Sequence, residues 1–303
     1  MEEELISVVL CTYNGKAFIE PQLTSIQKQS YTSLEIIISD DASADGTYEW
    51  LQAEGEKDKR IRLFKNETNI GFNLNFNRAC SYVTGKYIAI ADQDDVWEPD
   101  KLAVLVSAIT KQRDTVLVHS ISARFEDEGR PHLRSLKLIH YFSGNDARQF
   151  FLLNIISGHN MLLKKELLVA SMPFPEEGYY DWWLVINACC IGKIEAVKKI
   201  LVWHRMHDNN ATGKAKPVVL FYLQLQKFLP LILSVKNLPE NYKNFGKELL
   251  ACYHELPEKK FSFRLFKFLL RNAPVLFAYK RRKFPWISYI KTAYKFSRAS
   301  FKA

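Results

Sequence analysis

The chain reads as an α/β protein: a mainly parallel sheet flanked by helices, with a helical C-terminal extension. Three observations predict this. Over residues 5–91 short apolar runs alternate with segments of helical spacing. The apolar runs at 5–10, 34–39 and 86–91 each end in a polar loop. A length of 303 residues, 48% hydrophobic and 25% charged, supports a core of ordinary size.

The elements follow in order. Residues 5–10 (LISVVL) form a short apolar run suited to a buried parallel strand, and they end in the turn Thr12-Tyr13-Asn14-Gly15. Phe18, Leu23 and Ile26 mark a helix over 17–29. A second strand at 34–39 runs into the polar loop 40–47, and a short helix covers 47–54. Residues 60–65 suit a third strand, 69–82 a loop entering a helix, and 86–91 a fourth strand that ends on Asp92-Gln93-Asp94-Asp95. Later signals are less regular: a strand near 116–118, mixed signals at 150–165, an apolar helix at 181–191 and a strand-like run at 200–203. From about 215 the chain reads as helices broken by Pro230, Pro239, Pro257 and Pro274. The expected division is 1–214 for the α/β domain and 215–303 for the C-terminal region.

Sheets of this kind bind ligands at the carboxyl ends of their strands. The polar loops at 12–14, 40–45 and 92–95 all follow strands, so they converge on one sheet edge although they span about 80 residues of sequence. Within the last loop, three carboxylates in four residues repel one another unless a cation or solvent neutralises them. Two of them in a D-x-D arrangement suit Mg2+ or Mn2+. A solvated turn before the helix that starts near Pro99 is the plainer reading of the same residues.

Residues 6–14 (ISVVLCTYN), 39–47 (SDDASADGT) and 91–97 (ADQDDVW) together resemble the family 2 glycosyltransferases of the GT-A fold, over roughly residues 4–210. The QDDVW form is similar to bacterial rhamnosyltransferase-like members. The resemblance implies inverting, metal-dependent transfer of a single sugar from a UDP- or dTDP-linked donor to a saccharide or lipid-linked acceptor, with rhamnose slightly favoured. It places Thr12, Tyr13, Asn14 and Asp41 at the nucleoside, with Asn73 and Asn77 lining the same pocket. A carboxylate accepts the N3–H of uracil or thymine, and a tyrosine stacks on the base. It makes Asp94 the metal ligand and Asp92 a contact of the ribose or donor sugar, and it leaves Asp95 as a supporting group or helix cap.

Asp181, opening the apolar run 182–191, matches the family's catalytic base. Glu177 is its rival, and capping the helix is the ordinary role of an aspartate there. Trp182 and Trp183 suit a sugar face or the core equally. In Trp203-His204-Arg205-Met206-His207, the resemblance lets His207 complete the metal site and Arg205 neutralise phosphate. Ser157-Gly158-His159-Asn160 is expected to shape the donor or acceptor pocket.

Several classes are disfavoured. There is no G-x-G-x-x-G after the first strand, no P-loop, and no Q-x-x-R-W motif of processive polymerases. Five cysteines without a C-x-x-C suggest reduced thiols. The acidic start and short first apolar run do not make a signal peptide, which suggests a cytoplasmic protein.

The net charge of +9 sits in the tail: residues 259–303 hold 13 Lys or Arg and no acid, leaving 29 basic against 33 acidic side chains in 1–258. Interleaved with aromatics, that tail suits an anionic membrane surface at the inner face of the plasma membrane, and nucleic acid is not expected. Two other readings stand: a catalytically silent nucleotide-sugar binding module, and a nucleic-acid-binding protein built on the tail.

Overall fold

The computed structural model describes residues 3–125, 141–207, 218–255, 261–279 and 283–298. Its first part follows the expected alternation: β1 (Ile6–Thr12), α1 (Ile19–Gln27), β2 (Leu34–Asp40), α2 (Thr47–Lys57), β3 (Ile61–Lys65), α3 (Phe72–Cys80) and β4 (Tyr87–Ala91). Strands β1, β2 and β4 are rich in Ile, Val and Ala and are buried almost throughout, as strands covered on both faces must be. Pairings β1–β2, β1–β4 and β2–β3 are parallel.

The second part departs from a purely parallel arrangement. It contains β5 (Val96–Trp97), α4 (Lys101–Ile109), β6 (Thr115–Phe125), β7 (Met161–Lys164), α5 (Lys165–Ser171), α6 (Tyr180–Ile191) and β8 (Lys193–Arg205). Strand β7 runs antiparallel to both β4 and β6, and β5 antiparallel to β8, while β6 and β8 are parallel. The eight strands form one mixed sheet in the order β3-β2-β1-β4-β7-β6-β8-β5. The mixed signals at 150–165 resolve into 3-10 turns at Ala147–Phe150 and Gly158–Asn160, leading into β7.

Alternation along the strands splits the core. Val8, Leu10, Ile36 and Ile38 pack against α1, α2 and α4 on one face. Val9, Ile37, Ile88 and Ile90 join the opposite cluster with α3, α5 and α6. That second cluster also takes in the C-terminal helices α7 (Val218–Leu233), α8 (Glu240–His254), α9 (Phe263–Arg271), α10 (Ala273–Leu276) and α11 (Pro285–Phe296). The boundary expected at 214 lies outside the described residues. On its far side Phe228 of α7 tilts against Trp182 of α6, ring centroids 4.5 Å apart. Among the described residues no helix is long and apolar enough to cross a membrane, and all five cysteines are free thiols.

The lower end of the sheet is closed by one carboxylate. Glu35 accepts from Ser7 Oγ (2.5 Å), Thr84 N (2.6 Å) and Arg62 (2.9 Å), tying β1, β2 and β3 to the turn before β4. Burial pushes its carboxyl up, and these hydrogen bonds outweigh it and hold the group low. Gly85 in that turn lies so close that an added Cβ would sit 2.6 Å from Ser7 N and 2.8 Å from Leu5 O. Both are backbone atoms and have no rotamer with which to yield. Gly85→Ala is therefore expected to cost about 1–3 kcal/mol, read as a lower Tm and denaturant midpoint with the slope unchanged.

Candidate active site

The ends of β1, β2 and β4 meet at one edge, as the polar loops require, and hydrogen bonds lock the first two loops together. Thr12 Oγ1 donates to Asp40 (2.9 Å), and Ser43 Oγ donates to the same carboxylate oxygen (2.6 Å). Asn14 N donates to Ser43 Oγ (2.9 Å), while Asn14 Oδ1 accepts from Ala44 N (2.9 Å). Asn14 and Ala42 both take positive φ, 47° and 59°. That conformation is ordinary for Asn and uncommon for Ala, so the 40–45 loop holds strain at the site. Gln93 reaches back to the Tyr13 backbone, accepting its N–H at 2.9 Å. Tyr13 itself is 47% exposed and is the member of the first loop open to a planar ligand.

Two residues expected at the nucleoside are engaged by the protein. Asp41 is buried and accepts from Asn66 Nδ2 (2.6 Å), Ile70 N (2.9 Å) and Gly71 N (2.9 Å), so its carboxylate shapes the 66–71 loop. Asn73 is also buried. Its Nδ2 donates to the carbonyls of Pro175 (3.1 Å), Glu176 (3.2 Å) and Gly178 (3.0 Å), and its Oδ1 accepts from Tyr180 N (3.1 Å). Asn73 thus clamps the turn that launches α6, and Asn77 supports it by accepting from Phe174 N (3.2 Å). Both side-chain amides thus face backbone partners of the 174–180 segment.

The acidic cluster is neutralised from three directions. Asp92 receives His159 Nδ1 at 2.8 Å. Asp95, with no exposed surface, lies between His159 (3.2 Å) and His204 (2.9 Å). Lys101, buried under the cluster, donates to the His159 carbonyl (2.7 Å) and lies 3.2 Å from the Trp97 ring centroid. Burial pushes the Lys101 ammonium well below its ordinary value, opposed by Asp95 and Asp92.

The neighbouring groups titrate accordingly. Burial lowers His159, but the Asp95 and Asp92 charges outweigh it and raise the imidazole to about 9. Burial raises Asp92, and His159, His204 and Lys101 outweigh it to hold its carboxyl low. Asp94 goes the other way: burial, then Asp95 and Asp92, push it up, with His207 opposing.

Asp94 meets His207 Nε2 at 2.9 Å. His207 stacks on Phe18 (4.3 Å), and Arg205 donates from Nε to the Asp94 carbonyl (3.2 Å). The structure therefore brings Asp92, Asp94, Arg205 and His207 to one place.

Asp181 lies in the first turn of α6, two residues past the helix N-cap Tyr179, so it is not the cap. Burial raises its carboxyl to about 6; Asp92 adds to the rise, and the N–H groups of Trp182 and Gly158, with His159, oppose it. Its rival Glu177 is exposed and pairs with Lys227 at 3.5 Å. Gly158 is required where it stands, because an added Cβ would lie 2.3 Å from Tyr180 Oη. Trp182 and Trp183 belong to the core: each indole N–H donates to a backbone carbonyl, of Phe150 (2.6 Å) and Ser171 (2.7 Å). Beside the start of α6, Phe72 and Tyr179 stack 6.1 Å apart along a shallow groove of about 240 Å3.

Sequence reasoning gave no role to Lys101 or His204 and only a vague one to His159. The signal for the histidines was their lying next to Gly158 and Arg205, which were singled out. Lys101 has no local signal. His159→Ala removes the cation from buried Asp95 and part-exposed Asp92 and is expected to cost about 3 kcal/mol, the low end for breaking a buried pair because solvent screens Asp92, read as a drop in Tm at neutral pH.

Three comparisons with known proteins bear on this site. The family model "Glycosyl transferase family 2" matches residues 7–170. The GalNAc(5)-diNAcBac-PP-undecaprenol beta-1,3-glucosyltransferase of Campylobacter jejuni is 29% identical over 293 residues, 89% of this chain and 91% of that protein. The UDP-Glc:alpha-D-GlcNAc-diphosphoundecaprenol beta-1,3-glucosyltransferase WfgD of Escherichia coli is 34% identical over 112 residues, 37% of this chain and 43% of that protein. In fold, the chain resembles Staphylococcus aureus TarS solved with UDP-GlcNAc: TM-score 0.63, 17% identity, 96% of this chain and 89% of that one. It also resembles the Pyrobaculum calidifontis mannosyltransferase PcManGT, solved with GDP-Man and Mn2+: TM-score 0.59, 18% identity, 95% of this chain and 78% of that one. With the family model matched over more than half its length and its strand-end carboxylates gathered at one edge, the chain belongs to glycosyl transferase family 2 and is a glycosyltransferase of the GT-A type.

Proposed function

We propose that the protein transfers one sugar, with inversion, from a nucleoside-diphosphate sugar to a lipid-linked saccharide at a membrane surface, in cell-surface polysaccharide synthesis. The observation that carries the catalytic part is Asp181. It is a carboxyl raised to about 6 by burial, on a helix start fixed by Asn73, beside a cluster of carboxylates and cations. A base tuned near neutrality takes the acceptor hydroxyl proton most effectively. A lipid-linked acceptor is supported by the undecaprenol-linked substrates in the names of the Campylobacter and Escherichia relatives. The donor is read as a UDP- or dTDP-sugar, rhamnose among the candidates.

The residues have these roles. Tyr13 stacks on the base, and Thr12, Asn14 and Asp41 hold the two loops that frame it. Asp92 orients the ribose or donor sugar, and its low carboxyl stays ionised to accept hydroxyl hydrogen bonds. Arg205 offsets diphosphate charge. Asp181 removes the acceptor proton as the hydroxyl attacks the anomeric carbon.

The donor set at Asp94 and His207 fits Mg2+ or Mn2+. A carboxylate oxygen and an imidazole nitrogen stand 2.9 Å apart, both partly exposed, and burial, then the neighbouring Asp95 and Asp92, push the carboxyl up. A bound ion would supply Lewis-acid support to the leaving diphosphate. Asp95, His159 and His204 form a second set whose ligand atoms lie within 4.8 Å of one another. Asp95 at its centre has no exposed surface, so we assign that set to charge compensation.

Asp181→Asn is expected to lower transfer about 10²–10⁴-fold while leaving donor binding nearly intact. Because the folded carboxyl is raised, the folded state binds its proton more tightly and loses stability as pH rises through about 6. The Asn variant should therefore match or exceed the parent Tm at pH 8. For the parent enzyme kcat should rise with pH through about 6 and level off above it. A pH-independent rate, or full turnover by the Asn variant, removes Asp181 from the role. A panel of nucleotide sugars, assayed with Mn2+, Mg2+ and chelator, tests the donor; Asp94→Asn should abolish any metal dependence.

A further inference from the structure

We propose that the exposed ridge shared by α9 and α11 is a docking face for an anionic lipid bilayer. It consists of apolar residues set between cations. On α11, Trp286 (60% exposed), Ile287, Ile290 and Tyr294 all stand in solvent, while Thr292 and Ala293 face the protein. At roughly 100° per residue, those four exposed side chains share an arc of about 100°.

The arc continues onto α9. Tyr294 contacts Phe261 (5.4 Å), Phe261 contacts Phe266 (5.5 Å), and Phe266 contacts Phe263 (6.4 Å), itself 60% exposed. The result is one aromatic ridge crossing two packed helices, larger than the scattered exposure that soluble surfaces show.

Charge selects the occupant. Residues 259–303 contain 13 Lys or Arg and no acid. Lys267 lies 4.7 Å over Phe263, and Arg298 lies 5.5 Å over Tyr294. Lys291 and Lys295 are exposed next to the apolar arc of α11. Aromatics that enter the headgroup layer, flanked by cations that reach lipid phosphate, match an anionic interface. A second protein copy would bring the same uncompensated positive charge to the contact. Arg264 is spent on Glu255, just past the end of α8, and is left out of the surface.

The inference rests on the membrane-held acceptor for its purpose alone. Vesicle binding needs neither donor nor acceptor, so the two readings fail separately.

The test is flotation of the full-length chain with vesicles of phosphatidylcholine, alone or with about 30% phosphatidylglycerol, at low and high salt. The chain is expected to float with the anionic vesicles at low salt, to be released by salt, and to stay behind with phosphatidylcholine alone. Trp286→Ser with Ile290→Ser should weaken partition at least about tenfold, as should Lys291→Glu with Lys295→Glu. Both pairs alter exposed positions, so circular dichroism, Tm and nucleotide-sugar binding should match the parent. Failure to float, equal binding to neutral vesicles, or unchanged partition of both variants overturns the proposal. So does a parent dimer that the Ser pair dissolves without any vesicle binding, or salt-sensitive binding of RNA or DNA in place of vesicles.

Discussion

The active edge depends on burying Asp95 together with His159, His204 and Lys101, with part-exposed Asp92 beside them. A carboxylate with no access to water is tolerable only beside polar partners that offset its charge, and these come from three elements. His159 enters from the turn before β7, His204 from the end of β8 and Lys101 from the start of α4. The same contacts that satisfy the charges fix where β7 and β8 lie against the end of β4.

Other parts of the site build on that anchor. With Asp95 locked between two imidazoles, Asp94 is left at the more open side, where His207 and Arg205 close on it. Gly158, next to His159, offers its N–H to Asp181 and leaves room only for Tyr180. Asn73 pulls the preceding turn onto α3 from the other side. Asp181 and the charge cluster are thus held by the same short segment at Gly158–Asn160, so a disturbance there reaches both. The turn before α6 is also gripped from behind, where Phe228 of α7 fills the space beside Gly178 and against Trp182. The C-terminal helices therefore support the turn before α6 with one face. With the other, α9 and α11 present aromatics and cations to the surroundings.

Local sequence signals set the first half of the sheet and the gathering of its polar loops at one edge. Strand, helix and loop signals there are local: apolar runs of five to seven residues, a 3.6-residue period, and polar residues at strand ends. The placement of Asp92 and Asp94 after β4 and of Asp181 in the first turn of α6 was legible for the same reason, since it follows from neighbouring residues. The concentration of positive charge after residue 258 was likewise a matter of counting.

The tertiary structure decided what each polar group spends itself on. Asn73 and Asp41 satisfy backbone donors and acceptors up to 107 residues away, partners that no local sequence signal names. Lys101 and His159 are 58 residues apart and meet only because α4 and the turn before β7 pack at the same strand end. The antiparallel run of β7 was hidden because its four residues are too few to show a period. Hydrophobic pattern is a property of adjacent residues and survives in one dimension. Charge compensation and hydrogen-bond satisfaction depend on separations of about 3 Å, which exist only once the sheet has set its register.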